Sequence, residues 1–413
     1  MHITRLESFT VALPFQAPIL SAFGVSYPAR IRTLMRVYTD AGLIGLGETG
    51  PSALHLVNRE ALLRRVAQLE PLVIGHSVYA HAELGRLLAA FPGEAIALEM
   101  ACWDLIAQAA SVPLYQLLGG GPACTEVPIA GYCFFRAPDA SGQGAVTLEN
   151  YVEHCQRLQA RWGFQTLKLK LGVNPPPQDA QVIAQLRAAV GEAVELRIDP
   201  NGSYSLPTAL RMVKRLEPLD LEYIEEPNRA VGPADGTTAT AQLRRLRAAT
   251  LTPIAADHVY RLDLLAQVIR DDAADVVLAD LLGCGGVAGT WRYIQMASAF
   301  GLGVTLHSGA EICVGQAFKL HLQAAAGSAI AHASDAIYPE YVGGVLAGGK
   351  LPIVSGAMAV PQGPGLGVRL DESSLARWEL TAKAHRDLDA LWQATKAALN
   401  IQPPGTDLLV WRY

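Results

Sequence analysis

The chain has 413 residues, of which 51% are hydrophobic and 17% charged, and its formal net charge is −5 with no block of like charges. This composition is typical of a folded enzyme and excludes a disordered chain, and the lack of clustered Lys and Arg argues against a nucleic-acid partner. The length exceeds what one compact core normally reaches, so we expect two domains or a barrel with an added domain.

The sequence does not predict a secretory signal or a membrane span. Its first 15 residues, MHITRLESFTVALPF, contain no long apolar run like that of a secretory signal. No stretch reaches the roughly 18 consecutive apolar residues of a membrane span. The six cysteines are scattered without a CxxC pair or a zinc-binding spacing, which is typical of reduced thiols. We therefore predict a cytoplasmic protein with no membrane partner.

The predicted elements begin with an antiparallel β-region followed by helices. Segments rich in β-branched and apolar residues predict strands at 4–15, 30–38 and 43–51. From about 56 to 118, apolar residues recur at spacings of three and four, which indicates helices. The glycine-rich break GGGPA at 119–123 ends this region. We predict an α+β capping domain over residues 1–123.

From residue 127 onward, short apolar segments alternate with helical ones. The strands are expected at 127–135, 165–171, 194–199, 221–225, 252–256, 274–279, 302–307 and, from a weaker pattern, 328–334. The helices are expected at 147–161, 178–190, 205–217, 238–249, 261–271, 286–300 and 310–325. Strands that alternate with helices form a parallel sheet, and about eight such units close into a barrel.

A doubly wound sheet is the alternative to a barrel. It would need a GxGxxG or P-loop fingerprint after an early strand, and the sequence contains neither. The GCGG stretch at 283–286 lacks that fingerprint and is predicted to be a turn. The fold class is therefore predicted to be α/β, a (β/α)-barrel of modified TIM type with about seven or eight parallel strands at 124–345. A Pro/Gly-rich and then helical segment, 346–413, is predicted to return to the capping domain.

Polar residues close successive strands of this predicted barrel at intervals of 23 to 32 residues. Barrel enzymes carry their active sites at the carboxyl ends of the strands. Asp199, Glu225 and Asp257 end three consecutive strands, and oxygen-only ligands favour Mg²⁺ or Mn²⁺ over zinc. Any one of these acids could be a strand-end cap or a surface charge, but three in register predict a metal site. Glu226 points away from Glu225 along the strand and is expected to support the ligands from behind or to pair with a lysine.

Lys168 and Lys170 lie two apart on one predicted strand and so share one face. If that face is the barrel interior, two ammonium groups near a divalent cation lower each other's pKa, and a lysine tuned in this way can act as a general base. The alternative is an amphipathic strand with the lysines outward and the alternating leucines of 167–171 inward. The neighbouring carboxylates favour the first interpretation.

His307 closes the next-to-last predicted strand, and Asp280 closes the strand before it. Because neighbouring strands end within reach of each other, Asp280 can accept a hydrogen bond from one imidazole nitrogen and raise the basicity of the other. A lone histidine here would more often be structural. Paired with Asp280 and opposite the lysine strand, His307 is predicted to be a second base or acid.

A metal site flanked by two bases indicates one type of reaction. A cation and a lysine can bind a carboxylate and stabilise the enediolate that forms when the adjacent carbon loses its proton. One base removes the proton. An acid on the other face then either returns a proton, which gives racemisation, or helps to expel a β-hydroxyl group, which gives dehydration.

These residues together resemble the enolase superfamily in its mandelate racemase/muconate lactonizing enzyme-like branch, with glucarate dehydratase-like acid-sugar dehydratases as the most similar group. The resemblance covers the whole chain. The segments that carry it are GLGE (45–48), ALEMACWDL (97–105), GYCFF (131–135), the Lys-x-Lys strand, the DPN, IEEP and ADH strand ends, Asp280 to Val287, HS (307–308) and VPQGPGLGVRLD (360–371).

The resemblance implies roles for individual residues. Lys170 would be one base and His307, with Asp280, the other, while Lys168 would lie beside the substrate carboxylate. Tyr132 and Asn201 would bind the substrate. The resemblance also implies a Mg²⁺ cofactor, a small-molecule carboxylic acid as the substrate partner and a homo-oligomer.

Several positions depart from the glucarate dehydratase pattern. The capping-loop residues that would contact the substrate are Ser21 and Ser26, the position two after the base histidine is Gly309, and the histidine near the eighth strand is replaced by Ile337. The third metal ligand is Asp257 where those enzymes carry Asn. The resemblance therefore implies the catalytic machinery and leaves the substrate open.

Substrate specificity is expected to come from loops and the capping domain, with candidate contacts at 18–28 and 48–52. Arg30, Arg32 and Arg136 could bind a distal carboxylate or could be ordinary surface arginines.

The leading hypothesis is a Mg²⁺-dependent dehydratase of a sugar acid, and the alternative is a racemase or epimerase with the same two bases. A metal-binding barrel without turnover, in a scaffolding or sensing role, is a third hypothesis.

Overall fold

The computed structural model describes residues 1–50, 59–121, 125–138, 144–228 and 237–399. Pro51 and Ser52, the predicted domain boundary at 123/124 and the tail beyond 399 lie outside these ranges. The five cysteines within them are free thiols, as expected. Among the helices of the described ranges, none is long and apolar enough to cross a membrane.

The N-terminal region forms a three-stranded antiparallel sheet that packs against helices. The strands of this region are β1 (Ile3–Pro14), β2 (Ile19–Ser21), β3 (Gly24–Val25), β4 (Ala29–Thr39) and β5 (Ile44–Thr49). Three of them form the sheet, in the order β1–β4–β5, whereas β2 and β3 form a separate hairpin. The helices of the region are α1 (Arg59–Val73), α2 (His81–Leu87), α3 (Pro92–Ala109) and α4 (Leu114–Leu117). The strands and the helical region predicted from the sequence are confirmed here.

Helix α3 lies directly on strand β5 because the strand carries glycines at the contact. A Cβ atom at Gly45 would lie 2.3 Å from the Ala101 carbonyl oxygen, and one at Gly47 would lie 1.9 Å from that of Ala97. Only residues without a side chain allow this close approach. Asp104 on the same helix is buried and accepts backbone N–H groups of Leu46 at 2.9 Å and Leu366 at 2.8 Å, so it joins distant parts of the chain.

The second region is a parallel barrel. Its strands, with one short outer strand, are β6 (Glu126–Cys133), β7 (Phe135–Arg136, paired with β2), β8 (Thr166–Lys170), β9 (Glu195–Asp199), β10 (Tyr223–Glu225), β11 (Ile254–Ala256), β12 (Val276–Ala279), β13 (Gly303–Leu306) and β14 (Ser334–Ala336). Its helices are α5 (Leu148–Trp162), α6 (Pro176–Val190), α7 (Leu206–Leu216), α8 (Thr237–Arg247), α9 (Leu262–Arg270), α10 (Val287–Ala299) and α11 (Cys313–Ala326). The glycine-rich stretch 283–286 is a turn before α10, as predicted.

The hydrogen-bonded order of the barrel strands is β14–β6–β8–β9–β10–β11–β12–β13, all parallel. The two ends of this order meet just beyond their strands, where the Ile337 N–H donates to Ser308 Oγ at 3.3 Å. The predicted position of the eighth strand, 328–334, is wrong. A short 3-10 helix at Gly327–Ala329 extends the turn after α11, so the strand begins only at Ser334.

The last part of the described chain contacts both regions. Its elements are β15 (Ile353–Val354), β16 (Ala357–Ala359), α12 (Glu372–Trp378) and α13 (Ala382–Ala398). β16 pairs antiparallel with the start of β6. The Leu380 N–H donates to the Thr10 carbonyl oxygen at 2.9 Å, and Trp392 Nε1 donates to that of Val25 at 3.0 Å. The domain limits at 123/124 and 345/346 stay a prediction.

Candidate active site

The carboxyl ends of the barrel strands bring the polar residues singled out in the sequence to one end of the barrel. Lys168 and Lys170 lie on β8, Asp199 ends β9, Glu225 ends β10, Asp257 follows β11, Asp280 follows β12 and His307 follows β13. Because β8 and β12 are separated by three strands in the ring, the lysines and the Asp280–His307 pair face each other across the barrel.

Both lysines point into the barrel. Lys168 is fully buried, and its Nζ lies 2.5 Å from Glu225 Oε2, 2.5 Å from Asp335 Oδ2 and 4.0 Å from Asp199 Oδ2. Lys170 Nζ donates a hydrogen bond to Asp199 Oδ2. The alternative with outward lysines is therefore wrong. The leucines that alternate with them, Leu167, Leu169 and Leu171, are also buried because the other face of β8 packs under the surrounding helices.

The expectation that both lysines have lowered pKa values is wrong for Lys168. Burial lowers its pKa, but the adjacent carboxylates of Asp335 and Glu225 more than offset this effect, so the pKa lies well above its ordinary value. Repulsion between the two ammonium groups is therefore not the main effect on Lys168. Asp335 lies in the middle of β14 rather than at its end, so the pattern of strand-end residues does not indicate it.

Two acidic residues and the histidine form a compact cluster. Glu225, Asp257 and His307 each offer one ligand atom, and these atoms lie within 4.8 Å of one another. Burial raises the pKa of Glu225 well above its usual range, and the charge of Asp199 adds to this effect. Asp199 has a lowered pKa because the two lysines outweigh its burial, and it also accepts the Asn201 N–H at 2.7 Å.

The donor set fits a hard divalent cation. Glu225 Oε1 is buried and has no hydrogen-bond partner among the described residues. Such an orphaned oxygen is costly unless a positive charge or a donor satisfies it. Carboxylate oxygens from Asp199, Glu225 and Asp257 are the ligand type that Mg²⁺ and Mn²⁺ prefer.

Glu226 pairs with a histidine rather than with a lysine. The residue has a φ of +35°, and its Oε2 lies 2.9 Å from His258 Nδ1. This hydrogen bond raises the pKa of His258 to about 9 despite partial burial. The suggested pairing of Glu226 with a lysine is therefore wrong, because its carboxylate pairs with His258 instead.

His307 and Asp280 form the pair expected from the sequence. His307 Nδ1 lies 3.1 Å from Asp280 Oδ2, and Nε2 lies 3.6 Å from Asp257 Oδ2. Burial lowers the pKa of His307, but the charges of Asp257 and Asp280 raise it more, so the net shift is upward. Asp280 Oδ1 accepts the Gly283 N–H at 2.5 Å, which holds the carboxylate behind the imidazole.

Two of the four candidate substrate-binding residues lie among the strand-end groups. Tyr132 is buried beside the lysines, with its ring centroid 5.2 Å from Lys168 Nζ and 5.0 Å from Lys170 Nζ. Its hydroxyl has no hydrogen-bond partner among the described residues. Asn201 Nδ2 donates to Asp199 Oδ2 at 3.0 Å.

The two capping-loop serines lie on the β2–β3 hairpin. Ser21 Oγ accepts the Phe23 N–H at 3.2 Å, and the Ser26 N–H donates to the Ile19 carbonyl oxygen at 2.8 Å. Both bonds are local to the hairpin. A Cβ atom at Gly172, just beyond β8, would lie 3.0 Å from the Ala22 side chain, so the hairpin reaches the rim of the site.

Two of the three candidate arginines form structural ion pairs, and the role of Arg30 stays a prediction. Arg32 Nε lies 3.5 Å from Glu48 Oε1 with both side chains buried, and Arg136 pairs with the buried Glu340. Glu48 also accepts the N–H groups of Ile312 and Gly315 at 2.7 Å each, so it joins the capping domain to α11. Neither Arg32 nor Arg136 is an ordinary surface arginine.

Sequence reasoning missed three residues that contact the site. Asp335 and Arg197 are fully buried and paired at 3.1 Å behind Lys168, and the Tyr260 hydroxyl donates to Asp257 Oδ1 at 2.5 Å. Arg197 lies two residues before Asp199 on the same strand and so shares its inward face. That two-residue period was the signal that could have identified it.

Both regions of the chain match the family models of known proteins. The family model for the mandelate racemase/muconate lactonizing enzyme N-terminal domain matches residues 4–119, and the enolase C-terminal domain-like model matches residues 150–374. A probable glucarate dehydratase of Streptomyces coelicolor is 30% identical over 402 residues, which cover 89% of this chain and 90% of the relative.

Two further relatives differ in the activity or ligand that their names give. The L-Ala-D/L-Glu epimerase of Bacillus subtilis is 28% identical and is matched over 89% of this chain and 97% of its own. The crystal structure of an enolase from Pseudomonas fluorescens, with bound magnesium, potassium and tartrate, is 27% identical and superposes with a TM-score of 0.83 over 100% of this chain and 99% of that one. The matches therefore extend over both the capping region and the barrel.

Proposed function

Because the chain belongs to the mandelate racemase/muconate lactonizing enzyme family of the enolase superfamily, we propose that it removes the proton next to a carboxylate group of a small organic acid. The observation that carries the proposal is the pair of basic groups, Lys170 and His307, on opposite sides of a buried cluster of carboxylates. A substrate carbon between them could exchange a proton with either face.

Asp199, Glu225 and Asp257 would hold a Mg²⁺ ion, with Mn²⁺ as a substitute. When bound, the cation supplies positive charge beside the substrate carboxylate and favours the developing enediolate. The orphaned Glu225 Oε1 and the magnesium of the Pseudomonas fluorescens relative support this assignment.

The two lysines would have different roles in the reaction. Lys168 is held between Glu225 and Asp335 as an ammonium group, so it would stabilise the charge that develops on the substrate carboxylate. Lys170 would remove the proton from the adjacent carbon. Tyr132 packs over both lysines and would help to exclude water.

The histidine side would complete the reaction. His307, oriented by Asp280, would donate a proton to a leaving β-hydroxyl group, so that water is eliminated from a sugar acid and a 2-keto-3-deoxy acid is formed. The similarity to a probable glucarate dehydratase supports dehydration. The departures at Ser21, Ser26 and Ile337 argue for an acid other than glucarate.

A racemase or epimerase is the second candidate. In that reaction His307 would return a proton to the same carbon from the opposite face, which requires no residue beyond those of the dehydration. The similarity to an L-Ala-D/L-Glu epimerase supports this alternative.

A panel of sugar acids and 2-substituted acids, incubated with the protein and Mg²⁺ in D₂O, tests the proposal. Formation of a 2-keto acid indicates dehydration, whereas deuterium at the α-carbon without loss of hydroxyl indicates racemisation or epimerisation. If the protein binds the metal but neither reaction occurs with any acid, a binding barrel without turnover is the better explanation.

The molecular mass in solution, measured by sedimentation, tests the expected homo-oligomer.

A further inference from the structure

Tyr260 engages one oxygen of Asp257 and leaves the other facing the site. Its hydroxyl donates to Asp257 Oδ1 at 2.5 Å. Asp257 Oδ2 instead lies 3.6 Å from His307 Nε2 and 3.4 Å from His258 Nδ1. The tyrosine therefore fixes the rotation of the carboxylate about its last bond.

The ring of Tyr260 also supports the histidine side. A Cβ atom at Gly283 would lie 2.2 Å from the Tyr260 Cδ2 atom, so the ring rests directly on the backbone of this turn. The N–H of the same glycine donates to Asp280 Oδ1 at 2.5 Å, and Asp280 in turn orients His307. One side chain thus contacts the supports of both a candidate metal ligand and a candidate base.

We propose that Tyr260 is a positioning residue that presents Asp257 to the metal through Oδ2 alone and that its ring braces the Gly283 turn. This inference rests on the proposed function, because it takes Asp257 to be a metal ligand. Partners that orient ligating side chains typically contribute about 10- to 100-fold to metal affinity. A carboxylate that rotates freely must be ordered when it binds the ion, so loss of the hydroxyl should weaken metal binding.

The chain offers a matched control in Tyr293. This tyrosine of α10 is fully buried, and its hydroxyl has no hydrogen-bond partner among the described residues. Tyr293→Phe therefore removes the same atom from a buried tyrosine without touching Asp257.

The experiment measures Mn²⁺ affinity by electron paramagnetic resonance and Mg²⁺ affinity by calorimetry on the full chain without substrate. We expect Tyr260→Phe to bind both ions about 10- to 100-fold more weakly than the wild type and Tyr293→Phe to bind them equally well. Equal affinity of Tyr260→Phe and the wild type would overturn the inference and leave the proposed function intact. Failure of the wild type to bind either ion would instead overturn the proposed metal site.

Gly283→Ala tests the ring contact separately. This variant keeps the hydroxyl but forces the ring to move, so metal affinity should fall even though the donor is present. The same variant tests the role of Tyr260 if Tyr260→Phe does not fold. Wild-type affinity in Gly283→Ala would overturn the role assigned to the ring.

Discussion

The two basic sides of the site are built in different ways. On the lysine side, Lys168 is surrounded by carboxylates and Asp335 is in turn paired with Arg197, all fully buried within the barrel. On the histidine side, a single carboxylate, Asp280, supports His307 from behind, and Gly309 leaves room for it, since a Cβ there would lie 2.6 Å from Asp280 Oδ2.

Because of this difference, Lys168 keeps a fixed positive charge, whereas His307 can exchange a proton. The pKa of Lys168 is raised far enough that the group stays an ammonium at any pH of interest. His307, whose raised pKa starts from a value near neutrality, can both take and release a proton. The lysine side therefore supplies an electrostatic anchor as well as a base, whereas the histidine side supplies the group that can act as acid or base.

Removal of the base on the lysine side should have the largest effect. We expect Lys170→Met to lower kcat by about 10²- to 10⁴-fold, because general-base catalysis contributes that much. The rate on the acid found in the substrate panel is the measurement. Lys214→Met, at an exposed position of α7, is the control and should keep wild-type kcat. Similar rates in both variants would assign the base to another residue.

Disruption of the buried ion pairs around Lys168 should lower the free energy of unfolding. Asp335→Asn leaves Lys168 and Arg197 with one fewer buried counter-charge, and removal of one partner from a buried ion pair typically costs about 3 to 5 kcal/mol. Chemical denaturation measures the free energy of unfolding.

The control for Asp335→Asn is Asp387→Asn, which removes the partner of Lys383 from an exposed helix pair. It should cost less than about 1 kcal/mol. Equal losses in the two variants would contradict the fixed-charge description of the lysine side.

The histidine side should respond mainly through pH. Asp280 helps to raise the pKa of His307, so the imidazole in the wild type becomes neutral only at a higher pH than an ordinary histidine. The fall of kcat/KM that accompanies loss of the His307 proton at high pH should therefore move to lower pH in Asp280→Asn. We also expect kcat to fall by about 10- to 100-fold, because the ring is less well oriented. An unchanged pH profile in this variant would mean that Asp280 does not set the charge of His307.

The histidine side also depends on the capping domain through Glu99. This carboxylate accepts the N–H groups of Val287 and Ala288 at 2.9 Å each, at the start of the helix that follows Asp280, and burial raises its pKa to about 7. Between the ordinary value near 4.5 and about 7, the folded state binds the proton more tightly than the unfolded state. Stability contributed by this group should therefore fall as pH rises through that window, by up to about 1.4 kcal/mol per pH unit.

Glu99→Gln should remove this part of the pH dependence, as measured by denaturation at pH 5 and pH 7. Glu153→Gln, at an exposed position, is the control and should keep the wild-type slope. A wild-type slope in Glu99→Gln would show that the carboxyl group is ionised throughout.

The regular spacing of the strand ends correctly predicted where several candidate residues lie in the barrel. Asp199, Glu225, Asp257 and His307 all lie where the spacing placed them, at the carboxyl ends of neighbouring strands. The predicted bounds failed at β14, where a short 3-10 helix after α11 delays the strand, and Asp335 was missed because it lies in the middle of this strand rather than at its end. Tyr260 was missed because it lies in a loop, where no periodicity indicates which way a side chain points.

The sequence by itself determined the alternation of strands and helices, the family and the residues at the strand ends, because each of these depends on local pattern and spacing. Only the tertiary structure decided which charged residues pair with each other in the site. Lys168 meets Asp335 across 167 positions of the chain, and Glu226 meets His258 across 32, where both residues adopt positive φ. The charge that a buried group carries depends on such neighbours, and ring closure and loop geometry, rather than sequence spacing, bring them together.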